Sequence, residues 1–230
     1  MASSQAIPYR RVYVWEFPVR LFHWVNALCI TLLIITGYVI GHPIVISHSA
    51  EAYRQYWFGA VRFAHFASAY VCLFNFLVRV YWSFAGNRWA RWRAFLPLSK
   101  KRLQDIVRVV KIDVLELEKR ELISIGHNTL AGVTYFVTFL AFLFQVATGF
   151  ALYSSMSGAF LPRLFTWVTP LMGGEMAVRQ WHHVITWMFV AFIIIHVYLS
   201  VYHDLVEGRG TISAIIGGWK FERDEDLRKD

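Results

Sequence analysis

Four histidines fall inside long apolar stretches of this chain: His23, His65, His182 and His196. A titratable ring in hydrocarbon is costly, so four of them at that depth call for a chemical role. Imidazole serves as a metal ligand or as a proton relay. The spacing favours the first. His182 and His196 stand fourteen residues apart. On one helix that spacing brings both rings within roughly 40° of the same face and separates them by roughly 21 Å along the axis. Such a separation suits two hemes stacked one above the other across a membrane.

The elements that must hold those rings follow from composition. The 230 residues are 57% hydrophobic, 17% aromatic and 17% charged, which excludes an ordinary soluble domain and points to an all-α polytopic membrane protein. Four segments, approximately residues 21–41, 60–84, 128–152 and 181–203, are long enough to cross a hydrocarbon layer of roughly 30 Å. The expected architecture is a single four-helix transmembrane bundle over residues 1–230. Glu16 and Pro18 precede the first segment and no small-x-small cleavage pattern follows it, so it reads as a retained helix.

Charge sets the orientation. The net charge is +8, and of 23 Lys and Arg three precede the first span, ten lie between the second and third, and five follow the fourth. The other two loops hold only Arg54, Arg163 and Arg179. This bias predicts both termini in the cytoplasm and a basic rim on the inner membrane surface, not a nucleic-acid site. Between spans two and three, residues 100–123 place Leu103, Ile106, Val107, Val110, Val114 and Leu117 among Lys and Arg, the pattern of an amphipathic helix on the cytoplasmic surface. The loop from Tyr153 to Gln180, broken by Pro162, Pro170 and Gly173-Gly174, faces outside and reads either as a docking platform or as a disordered connector. Cys29 and Cys72 form no C-x-x-C-H motif, so heme is expected to be held non-covalently.

With the N-terminus inside, His23 lies near the cytoplasmic face and His65 near the outer face. Span four runs inward, placing His182 near the outer face and His196 deeper. Matching depths pair His65 with His182, and His23 with His196, each pair from two different helices. Two imidazoles per iron fill both axial positions and leave an electron carrier with no open coordination site. His183 is a fallback for His182, turned from it by about 100°. Gly37, Gly41 and Gly149 allow close approach of a porphyrin or of a neighbouring helix. Arg79 either neutralises a propionate of the inner heme or snorkels to water. At the start of span three, His127 and Asn128 form either a quinone site, with Asn128 donating to a carbonyl and His127 relaying a proton, or a helix cap.

Several segments together resemble a known family. They are Phe17-Pro18-Val19-Arg20-Leu21-Phe22-His23-Trp24, Thr36-Gly37-Tyr38, Arg62-Phe63-Ala64-His65-Phe66, Gly126-His127-Asn128, Thr148-Gly149-Phe150-Ala151-Leu152-Tyr153, Trp181-His182-His183 and His196-Val197-Tyr198. In this order they resemble the cytochrome b subunit of membrane-bound nickel–iron hydrogenases, within the bacterial diheme b-type cytochromes. Thr129 departs from the family pattern, where proline is expected, and the stretch after Gly210 matches it loosely. The resemblance implies His23, His65, His182 and His196 as axial ligands of two heme b groups in a multi-pass protein of the bacterial inner membrane. It implies partners too: the small and large subunits of a nickel–iron hydrogenase on the outer face. Electrons from hydrogen oxidation would pass through the outer heme and the inner heme to membrane quinone near His127 and Asn128. Hydrogen activation itself would lie in the partner, since two cysteines are too few for a nickel–iron centre or an iron–sulfur cluster. The same bundle would serve another respiratory enzyme such as formate dehydrogenase. A heme-free membrane anchor or proton-conducting transporter is the reading from a different class.

Overall fold

The computed structural model describes residues 9–43, 56–92 and 129–223. In chain order these form β1 (Tyr9–Tyr13), α1 (Phe17–Gly41), α2 (Trp57–Ala85), α3 (Thr129–Ser154), α4 (Phe160–Arg163), α5 (Val168–Leu171), α6 (Glu175–Glu207), α7 (Thr211–Gly217) and β2 (Trp219–Arg223). Among the described residues, four stretches are helical, long enough and apolar enough to cross a membrane: Phe17–Gly41, Trp57–Ala85, Ala131–Ser154 and Glu175–Val206. Large apolar side chains along them, among them Leu28, Ile35, Phe63, Phe74 and Ile194, face outward. That is the surface a helix presents to lipid tails, where no hydrophobic penalty attaches to exposure.

The helices overrun the apolar segments, because hydropathy marks where lipid begins and not where the hydrogen-bond ladder ends. Helix α6 starts at Glu175, directly after Gly173 and Gly174, whose φ values of 86° and 116° end the preceding turn. Glu175 sits in the first turn, where the helix dipole favours a carboxylate, and Arg179 one turn on approaches it at 3.4 Å. The expected amphipathic segment at 100–123, together with His127 and Asn128, lies outside the described residues.

Two compact units are present. One is built from described residues within Leu21–Val80 and Leu143–Ala191. Its four helical segments meet through side chains in a closed order. Asn75 Nδ2 of α2 donates to Phe22 O and to Asn26 Oδ1 of α1, at 3.0 and 3.1 Å. Tyr70 of α2 meets Phe150 of α3 edge-on at 5.3 Å between ring centres. Thr148 of α3 bonds His182 of α6, and His183 of α6 lies against Gly41 of α1. The connection between α3 and α6 is an ordered cap and not an open loop. Ala151, Val168 and Val178 form its buried centre, with Ala147, Leu152, Phe165 and Met172 packed around them. Its other face leaves Phe160, Leu164, Trp167 and Leu171 exposed, spaced by four, three and four residues as on one helix side.

The other unit lies within Met1–Arg20, Tyr81–Phe142 and Phe192–Asp230, and it corrects the all-α expectation. β1 and β2 pair antiparallel, from Tyr9 with Arg223 to Tyr13 with Trp219. Tyr9–Tyr13 and Trp219–Arg223, far apart in sequence, therefore form one small sheet. No local pattern announces such a pair, because the strands are separated by nearly the whole sequence. Gly218 closes it: its φ is 90°, and Val14 and Trp15 both donate to its carbonyl, at 2.9 and 3.1 Å. A side chain there would strike Trp15 O at 2.7 Å, so glycine is required. Beside the sheet, Glu16 Oε2 accepts from Trp82 Nε1 and from the Asn87 amide, both at 2.9 Å. Asn87 Nδ2 donates back to Val14 O, and Arg20 donates to Ile216 O.

On β2, Lys220 and Glu222 point to one side, as the two-residue period of a strand requires. Glu222 is fully buried, 2.9 Å from Arg209 Nη1 and 3.5 Å from Lys220 Nζ. Removing one member of a buried ion pair leaves charge without compensation and typically costs about 3–5 kcal/mol. Glu222→Gln is expected to lower the thermal midpoint of the purified chain in detergent and to speed hydrogen exchange at the β1 and β2 amides. Unchanged exchange there would show that the buried ions do not hold the sheet.

Candidate functional site

His65 and His182 are held by the same device, built twice on different helices. Thr36 of α1 places Oγ1 2.9 Å from His65 Nδ1. Thr148 of α3 places Oγ1 2.9 Å from His182 Nδ1. Each hydroxyl has one proton, and each directs it to a carbonyl of the preceding turn: Thr36 to Leu32 O at 2.6 Å, Thr148 to Phe144 O at 2.9 Å. A hydroxyl whose proton is so committed accepts from the ring. The network therefore assigns the Nδ1–H tautomer to both histidines and leaves the Nε2 lone pair of each for a Lewis acid.

A glycine follows each threonine. A Cβ on Gly37 would lie 3.3 Å from His65 Cε1, and one on Gly149 would lie 3.1 Å from His182 Cε1. These glycines admit the imidazoles themselves, so that a ring from one helix seats on the backbone of the next. Gly41 does the same for His183, whose Cε1 would stand 3.2 Å from a Cβ there. His182 thus faces α3, whereas His183 faces the end of α1, near His42, which stacks on Tyr38 at 4.7 Å. Imidazoles in that tautomer, fixed from behind by hydroxyls, would suit a heme iron as ligands.

Gln145, one turn before Thr148 on α3, completes the surroundings of His182. Its amide nitrogen lies 2.8 Å from Thr186 Oγ1, 3.1 Å from His182 O and 3.2 Å from His182 Nε2. Two acceptors remain for its two protons if Nε2 turns to a metal, so ligation strands no donor of Gln145.

The remaining sequence-predicted residues are placed as follows. His23 lies on α1, edge-on to Trp24 at 5.1 Å. His196 lies on α6, stacked on Phe192 at 5.4 Å. Arg79 is buried, with its guanidinium carbon 5.9 Å from the Phe22 ring centre. It stands beside the residue that precedes His23. His127 and Asn128 lie outside the described residues.

Sequence reasoning missed the residues that position the rings. Thr36 and Thr148 stand within two of the segments that carry the family resemblance, but the sequence gives them no role of their own. The signal was the dipeptide Thr-Gly, present near the end of both α1 and α3, each facing a histidine near the start of an antiparallel neighbour. Asn26 and Asn75 also passed unremarked, although an amide in hydrocarbon needs a partner, and here each supplies the other's. Gly149→Ala forces His182 off the α3 backbone. Overpacking costs about 1–3 kcal/mol, of which helix propensity returns about 1 kcal/mol. We expect Gly149→Ala to lower the thermal midpoint more than Gly37→Ala, whose contact is looser; equal or raised midpoints would show that the rings have room to move.

Residues 14–218 match the family model of prokaryotic cytochrome b561. Relatives match over nearly their whole length. A protein of Azotobacter vinelandii named probable Ni/Fe-hydrogenase B-type cytochrome subunit is 43% identical over 218 residues, covering 93% of this chain and 90% of its own. One of the same name from Cupriavidus necator is 36% identical over 228 residues, covering 97% and 92%. The probable Ni/Fe-hydrogenase 1 B-type cytochrome subunit of Escherichia coli K12 is 36% identical over 212 residues, covering 90% of each. With the family model spanning most of the chain and the relatives aligning end to end, this protein is a member of the prokaryotic cytochrome b561 family.

Proposed function

We propose that this chain is the diheme b-type cytochrome of a membrane-bound nickel–iron hydrogenase, anchoring the enzyme and passing electrons from hydrogen oxidation to membrane quinone. The observation that carries the reading is the paired, threonine-backed presentation of His65 and His182. A transporter needs relay groups that rotate and exchange protons. Rings locked by a hydrogen bond at Nδ1 and a glycine seat are suited to holding a metal instead. The relatives named as hydrogenase cytochrome subunits favour hydrogenase over formate dehydrogenase as the partner.

In this reading His65 and His182 hold the outer heme, and His23 and His196 the inner one. The hemes, when bound, supply one-electron exchange. The chain's own residues do the rest. Two imidazoles per iron would keep oxygen and substrate from it. Apolar helix faces exclude water from the path. Arg79, buried beside Phe22, offers its charge to a propionate of the inner heme. His127 and Asn128 orient a quinone near the cytoplasmic face, with His127 passing a proton to it. The apolar stripe of Phe160, Leu164, Trp167 and Leu171 supplies contact area for the hydrogenase subunits outside. The bias of Lys and Arg supports both termini in the cytoplasm of a bacterial inner membrane.

The test is a heme count by pyridine hemochrome with a reduced-minus-oxidised spectrum on purified chain. Two low-spin b hemes are expected. His65→Ala and His182→Ala should each abolish the same heme, and His23→Ala and His196→Ala the other. Heme-free protein from a heme-sufficient host would overturn the reading in favour of an anchor or transporter. Co-purification of an iron–sulfur enzyme lacking nickel would move the partner to another dehydrogenase.

A further inference from the structure

We infer that Thr36 and Thr148 act together on one heme, holding its reduction potential down by accepting hydrogen bonds from both of its axial imidazoles. This rests on the assignment of His65 and His182 as an axial pair. The geometry supplies the rest. Both oxygens lie 2.9 Å from an Nδ1, and both hydroxyl protons are already directed to helix carbonyls. Thr148 is fully buried and Thr36 nearly so, and in such a low-dielectric setting a hydrogen bond polarises its donor more strongly than in water.

Pulling the Nδ1 proton toward oxygen gives the ring imidazolate character and makes Nε2 a better electron donor. A stronger donor favours ferric over ferrous iron, so each threonine lowers the potential. The two effects fall on opposite axial positions of one iron and therefore add. The consequence is directional. Lowering the potential of the heme that takes electrons from outside makes the step to the second heme downhill. Thr36 and Thr148 are positioning residues: they touch the ligands and not the iron.

The experiment uses the intact purified chain carrying Thr36→Val, Thr148→Val or both, with Thr36→Ser and Thr148→Ser as controls. Valine keeps the volume and removes the acceptor. Each variant is characterised by heme content, by redox titration of both hemes and by the low-spin electron paramagnetic resonance signal. Each valine should raise the ferrous-to-ferric ratio of one heme roughly three- to tenfold at fixed potential, a tenfold change being about 59 mV for a one-electron couple. Both single variants should move the same heme, and the double variant should move it by the sum. The other heme should stay in place as an internal reference, and serine should restore the wild-type potential. Two bound hemes with neither potential moved by valine would overturn the inference and leave the axial assignment standing. Shifts of different hemes by the two valines would overturn the axial pairing itself. Serine variants that behave like valine would assign the effect to packing and overturn the role of the hydroxyl.

Discussion

A ring nitrogen that carries a proton inside hydrocarbon must give that proton to something. Much of what is specific in this chain follows from that demand. Water is excluded, so the acceptor must come from a neighbouring helix, and that helix must approach closely. Threonine meets the first requirement because it can turn its own proton back onto the preceding turn and offer a lone pair outward. Glycine meets the second because a backbone without Cβ lets the imidazole lie against it. The Thr-Gly dipeptide is thus one functional unit, and its use on both α1 and α3 gives His65 and His182 equivalent settings. The same contact that orients a ring also ties α1 to α2 and α3 to α6.

The four apolar segments and their histidines were legible because both signals are local. A run of some twenty apolar residues declares a span, and a histidine within it declares itself by its cost. The partners of those histidines were not legible in the same way. Thr36 and Thr148 are uncharged, common in membrane helices and unexceptional where they stand. What distinguishes them is who faces them, which depends on helix rotation. Gln145 is the same kind of residue, meaningful only once α6 is set beside α3. Gly37, Gly41 and Gly149 were recognisable as points of close approach, but the approaching groups proved to be His65, His183 and His182.

The ends of the chain were the least legible part. Tyr9–Tyr13 and Trp219–Arg223 are short, carry charges and show no turn between them, so neither signals a strand by itself. Glu16 entered the sequence reading only as an argument against a cleaved leader. In the fold it accepts hydrogen bonds from Trp82 and Asn87 and fixes the approach of β1 to the end of α2. For the connection between α3 and α6 the sequence leaves a docking platform and a disordered connector both open, for a related reason. Prolines and glycines do break helices, but they do not preclude order. Pro162 and Pro170 sit inside the short helices α4 and α5, and Ala151, Val168 and Val178 give the cap a core of its own.

The pairing of β1 with β2 also bears on how the protein is made. Tyr9–Tyr13 is synthesised before all four apolar helices, yet its partner strand is synthesised after them. The sheet therefore cannot close until the last of the four helices has been made. Until then β1 keeps an open edge, the kind of surface that chaperones and proteases recognise. Closure of the sheet is in this sense a completion mark: it distinguishes a chain whose synthesis has passed all four helices from one that stalled before the last.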